Sequence, residues 1–134
     1  MKHFRLGRKN RENDHGQSVV EFALVLPVFA LILFGVIEFG RLWMTVNVLT
    51  GAAREGARVA AISGSDFSKG RAAAQNALHA GNIEGASISI VGPNSANEIR
   101  VTVTMTYTAI TGAALPGLNT SSQLSRSATM HWEG

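Results

Sequence analysis

The sequence predicts an α+β fold: one long N-terminal helix, membrane-spanning in its first half, packed by its second half on a small three-stranded antiparallel sheet, with one short extra helix. Three observations carry this. Residues 19–40 read VVEFALVLPVFALILFGVIEFG, with no charge between Phe22 and Ile37. Residues 41–62 keep apolar side chains at helical intervals. Beyond Gly81 the period changes from helical to alternating.

As a helix, residues 19–40 rise roughly 33 Å at about 1.5 Å per residue, and a bilayer's hydrocarbon core is about 30 Å thick. The run can therefore span. Lys2, Arg5, Arg8, Lys9 and Arg11 precede it. Positive residues concentrate on the cytoplasmic side, which places the N-terminus inside and the remainder outside. Pro27 deprives the Ala23 carbonyl of its helical donor and predicts a bend there. Glu38 and Arg41 stand where the helix emerges, either as interfacial charges that snorkel to water or as an inter-subunit or intra-helix contact at i, i+3. Trp43 fits an interfacial aromatic anchor.

No strong breaker follows Gly40, and Leu42, Val46, Leu49, Ala53, Ala57 and Ala60 recur at intervals of three or four, so the helix continues to Ile62. Ala52, Gly56 and Ala60 form a second stripe, of very small residues, where another helix or a sheet can approach the backbone closely. Arg54, Glu55 and Arg58 fill a solvated sector in which Glu55 and Arg58 pair at i, i+3. Ser63-Gly64-Ser65 breaks the helix. Ser65 or Asp66 then caps a short one that runs through Leu78 to a stop at Gly81.

Ala86, Ile88 and Ile90 line one face of a first strand, and Gly92-Pro93-Asn94-Ser95 is a turn signal. In the second strand Ile99, Val101, Val103, Met105 and Tyr107 point one way, while Arg100, Thr102, Thr104, Thr106 and Thr108 point the other. After a loop from Thr111 to Ser122, Leu124, Ala128, Met130 and Trp132 give a third strand its apolar face. Three strands with one apolar face each need a cover, and the small-residue helix supplies it.

The net charge of +3 belongs wholly to residues 1–16, because residues 17–134 are formally neutral. Once that leader is removed no basic footprint remains, so nucleic acid is not an expected partner. The absence of cysteine excludes disulfides, thiolate metal sites and cysteine nucleophiles together. His79 and His131 fall on separate elements, with no HExxH-type spacing around them. The segment Gly35–Gly40 lacks the preceding strand that a phosphate-binding fingerprint requires. The sequence predicts neither an enzyme nor a cofactor, a metal or a small-molecule substrate.

The most informative segment is Gly16-Gln17-Ser18-Val19-Val20-Glu21-Phe22. A carboxylate just inside an apolar run is costly in a bilayer, which makes Glu21 a functional candidate with a partner to be found. Cleavage after Gly16 makes Gln17 the new N-terminus. Its α-amine, with a reference pKa of about 7.7–8, is a cation about one helical turn from its own Glu21. A neighbouring copy's amine can meet that carboxylate and set an axial register. This is the pattern of a prepilin. Gly7 offers the same spacing to Glu12 but has no apolar run behind it. An ordinary secretory signal has an apolar core of about 7–15 residues and no carboxylate at this place. The alternative is a signal-anchored periplasmic binding module, tethered by an uncut helix, with Glu21 at the headgroup level.

GQSVVEFALVLPVFALILFGVIEFGRLW followed by LTGAAREGARVAAISG resembles the TadE-like family, small pseudopilins of the tight-adherence (Flp-type) pilus systems of bacteria. VEFALVLP, IEFGRL and AAREGAR carry the resemblance over about residues 16–64, and LSRSATMHWE is similar to the family's ending. It implies a pilin-like form of the fold and cleavage between Gly16 and Gln17 by a dedicated prepilin peptidase. It also implies assembly contacts between subunits at Glu21 and Phe22, and a single-pass helix kept in the inner membrane. The implied partners are other pilins and pseudopilins, the inner-membrane pilus platform and membrane lipid. The organisation is then a basic leader over 1–16, a transmembrane helix over 17–40 and an extracytoplasmic helix plus small α/β domain over 41–134. Gln17 stands where many type IV pilins begin with Phe or Met.

Overall fold

A computed structural model of the chain describes residues 12–64, 66–110 and 121–133, and the side chains among them from Gly16 onward. Helix α1 runs Glu12–Ile62 and contains Pro27, and helix α2 runs Phe67–Ala80. The strands are β1 Ser87–Val91, β2 Glu98–Thr108 and β3 Ser121–His131. They form one antiparallel sheet in the order β1-β2-β3, with β2 in the centre. The α+β architecture is the one the sequence predicts. Most of the predicted leader (1–11), the capping candidate Ser65 and most of the predicted loop (111–120) lie outside the described residues.

The chain divides into two units between Val36 and Ile37. In the first, every large apolar side chain from Val19 to Val36 is exposed, so this stretch of α1 has no apolar partner of its own. By length and composition α1 can cross a bilayer.

In the second unit Leu49, Ala52, Ala53, Ala57 and Ala60 of α1 and Leu78 of α2 meet Ile99, Val101 and Val103 of β2 in one buried cluster. The predominance of alanine has a geometric cause. A Cβ on Gly56 would lie 2.9 Å from the Ala74 Cβ, 3.2 Å from the Gly70 carbonyl oxygen and 3.3 Å from Val101 Cγ1. A Cβ on Gly70 would lie 2.7 Å from the Ala60 Cβ and 2.9 Å from the Gly56 carbonyl oxygen. The two helices thus cross almost backbone to backbone. The stripe of small residues on α1 is occupied by α2 and β2 of the same chain.

Local chemistry sets the ends of the elements. Asp66 caps α2, its Oδ1 accepting from the Ser68 amide at 3.1 Å. At the other end Gly81 has an ordinary φ of −87°, and the left-handed position falls on Asn82 at φ 55°. Ile83 N then donates to the Leu78 carbonyl at 2.9 Å. Gly81 is required for space, since a Cβ there would lie 2.3 Å from Val48 Cγ1. The end of α1 is closed by the C-terminal residues: Glu133 N donates to the Ala61 carbonyl at 3.1 Å, and Trp132 Nε1 to the Gly64 carbonyl at 3.3 Å. In the β1–β2 turn Asn94 Oδ1 accepts from the amides of Ala96 and Glu98, both at 2.9 Å.

Strand β3 starts earlier than its apolar pattern suggests. Ser121, Ser122 and Gln123 pair with Thr108, Tyr107 and Thr106, a polar stretch that gives no alternation signal. Leu124 and Ala128 are half-buried, but Arg126 shares their parity and is exposed, so this flank of the sheet is thinly covered.

The helix crossing gives a paired expectation. Gly70→Ala must push backbone against backbone and lowers stability by about 1–3 kcal/mol. Gly51→Ala, at an exposed helical position with nothing within 4 Å of the new Cβ, raises it by about 0.5–1 kcal/mol. Thermal unfolding of the detergent-solubilised chain, followed by far-ultraviolet circular dichroism, reads both.

Candidate functional site

The residues around the predicted cut lie inside α1, which reads through the Gly16–Gln17 bond from Glu12. Gly16 is exposed, and a Cβ added to it would meet nothing within 4 Å. Gln17 Nε2 donates to Glu21 Oε1 at 3.1 Å on the open surface of the helix. Phe22 is 65% exposed. Among the described residues Glu21 makes no salt bridge. A neutral amide leaves the charge of the carboxylate in place, so a buried Glu21 still requires a cation or a proton. Pro27, also exposed, lies farther along the same helix.

The other carboxylate of the apolar run is differently placed. Tyr107 OH donates to Glu38 Oε1, and the Ile110 amide donates to Oε2 at 3.1 Å. Arg41 Nη1 adds a longer contact to Oε1 at 3.4 Å, and its guanidinium carbon lies 5.7 Å from the Tyr107 ring centroid, a cation–π arrangement. The Glu38 side chain is only 17% exposed. The predicted i, i+3 contact between Glu38 and Arg41 is thus one part of a larger cluster that ties α1 to the end of β2. Burial pushes the Tyr107 phenol above its ordinary pKa, and the adjoining carboxylate, which accepts its proton in a hydrogen bond, pushes the same way. Beside the cluster the rings of Phe39 and Trp43 stack at 6.2 Å, both exposed.

Sequence reasoning missed Tyr107 and Ile110 as partners of Glu38. Two signals were present: Tyr107 is the only tyrosine, and it ends the buried row of β2 with a hydroxyl that needs a partner. Nothing in the sequence says which one.

The remaining candidates are separate from both places. Ala52 and Ala60 are fully buried, and with Gly56 they pack within the chain. Glu55 and Arg58 form a two-pronged pair at 2.7 and 3.0 Å in the solvated sector, and the guanidinium holds the Glu55 carboxyl below its usual range. Such an exposed pair contributes little stability. His79 lies on α2 and His131 on β3, and the described residues contain no cluster of three metal-ligating side chains.

The Glu38 cluster carries its own test. Tyr107→Phe keeps the ring and removes a hydrogen bond to a charged group, a loss of about 1.5–3 kcal/mol, read from the thermal midpoint. The phenol titrates higher in the fold than in the unfolded chain. Its contribution is therefore complete below a pH of about 10 and is lost as pH rises through the folded value. The phenylalanine variant lacks that alkaline loss.

A family model described as TadE-like protein matches residues 16–58. No curated protein and no solved structure matches the chain. The matched segment lies wholly on α1, from the glycine of the predicted cut through Glu21, Pro27 and Glu38 to the AAREGAR motif. Over residues 16–58, the part of α1 that bears Glu21, Glu38 and Glu55, the chain is similar to the TadE-like family.

Proposed function

We propose that the protein is a pseudopilin or minor pilin that takes part in assembling a tight-adherence (Flp-type) pilus. It is made as a precursor, held in the bacterial inner membrane by α1 with its N-terminus in the cytoplasm, and cut after Gly16 by prepilin peptidase. It then packs through α1 against other pilins and pseudopilins and against the membrane platform of the pilus. It works as a structural subunit, without catalysis or a cofactor.

The observation that carries this reading is the TadE-like helix whose large apolar side chains from Val19 to Val36 are exposed and whose Glu21 has no cationic partner among the described residues. Uncovered apolar surface favours lipid or another apolar helix. In either surrounding Glu21 needs a charge partner, and the amine released by cleavage is one. Pairing lowers the penalty of burying both charges and fixes the axial offset between copies. The helix across the cut has to open before a peptidase can engage the backbone. Glycine lowers helix stability by about 1 kcal/mol relative to alanine, and among the described residues nothing lies within 4 Å of a Cβ added to Gly16, so opening is favoured there.

Intact-mass analysis of protein from its native membrane tests the reading. A chain beginning at Gln17 supports it, and a chain retaining Met1 or Lys2 supports a tethered periplasmic module instead. Gly16→Trp holds the protein at precursor mass. Glu21→Ala is still cut, but it strands the neighbouring amine, a loss of about 3–5 kcal/mol per contact if that site is buried. Cross-linked or filament-associated protein therefore falls sharply while processing does not.

A further inference from the structure

We infer that Gln17 is a self-modification site: once it becomes the N-terminus, its α-amine closes on its own side-chain carboxamide and forms a neutral pyroglutamyl lactam. The inference rests on the cut after Gly16 proposed above. Within the intact chain the Gln17 nitrogen is a peptide nitrogen inside α1 and is no nucleophile. Only cleavage makes it an amine.

The chemistry follows from the side chain. Glutamine places an amide carbon at the distance from its own amine that closes an unstrained lactam. Asparagine is too short for this, and glutamate has a poorer leaving group. A bond forms between the α-nitrogen and Cδ while the Cδ–Nε2 bond breaks. The amine gives up one proton, the leaving nitrogen takes one, and ammonia departs. Neither an oxidant nor any other reactant is required. With a reference pKa of about 7.7–8, part of the amine is unprotonated and nucleophilic near neutral pH.

The surroundings place no obstacle in the way. Gln17 is exposed, and the space beside Gly16 is open. The carboxamide donates to Glu21 Oε1 at 3.1 Å in a solvent-facing hydrogen bond, which a rotation of the side chain releases. Two states of the mature terminus then exclude each other. An amine paired with a neighbour's Glu21 is held protonated and cannot attack, whereas an unpaired subunit closes the ring and loses the cation that Glu21 requires. The lactam therefore marks subunits that were cut but not assembled.

The test follows the intact mass of the processed full chain, purified as separated subunits in detergent and held at neutral pH. The expected result is loss of the mass of one ammonia, located on the N-terminal fragment, with no loss from Gln17→Ala. A wild-type chain that begins at Gln17 and keeps its mass overturns the lactam and leaves the cut standing, as does one that has gained a methyl group on its amine. A chain that still carries the leader overturns the cut, and the lactam with it.

Discussion

The folded unit depends on one contact, the crossing of α1 and α2 at Gly56 and Gly70, where the two backbones approach with only the methyl groups of Ala60 and Ala74 beside them. Val101 of β2 presses on the same point, 3.3 Å from where a Gly56 Cβ would be. Two helices and the sheet therefore converge on a residue without a side chain. Small residues bury little area each, so they contribute less to the hydrophobic term than Leu49, Ile99, Val101 and Val103, the largest fully buried side chains. What they allow is closeness. The large side chains reach a dense core through a helix face that takes up almost no room.

The features legible in the sequence were those set by neighbours along the chain. The long helix, the alternation of β2 and the cap at Asp66 follow from periodicity and local hydrogen bonding. Gly81 was legible as a stop for a reason that proved incomplete: the left-handed position falls on Asn82, and the glycine makes room for Val48, more than thirty positions earlier. The small-residue stripe was readable as a place of close approach, but its occupant was not, because helix and sheet ask the same of such a surface. Glu38 and Tyr107 illustrate the limit. They are 69 residues apart, and their pairing depends on where β2 ends beside α1. The start of β3 was hidden because serine and glutamine paired with threonine carry no apolar alternation.

The same reasoning separates the two acids that bound the charge-free stretch from Phe22 to Ile37. Glu38 accepts from a phenol, a backbone amide and a guanidinium, all supplied by its own chain. A carboxylate so provided with donors has little need of a second molecule. Glu38 thereby belongs to the compact unit, which begins at Ile37. Among the described residues Glu21 has one neutral amide as its donor, and that amide belongs to the residue at the proposed cut.

Of these two carboxylates, then, Glu21 is the one whose demand for charge the described residues leave unmet, and this bears on how an assembly of such helices would be specified. Apolar faces slide past one another with little preference, because the contact energy changes slowly with axial offset. A lone charge changes that, since an offset that leaves it without a counter-ion in low dielectric is penalised by several kcal/mol. If Glu38 were equally exposed, two carboxylates would compete for each incoming amine and two offsets would be allowed. Enclosing Glu38 against Tyr107 removes the second. In the proposed filament or platform, the intramolecular cluster at the end of β2 thereby contributes to register without touching a neighbour.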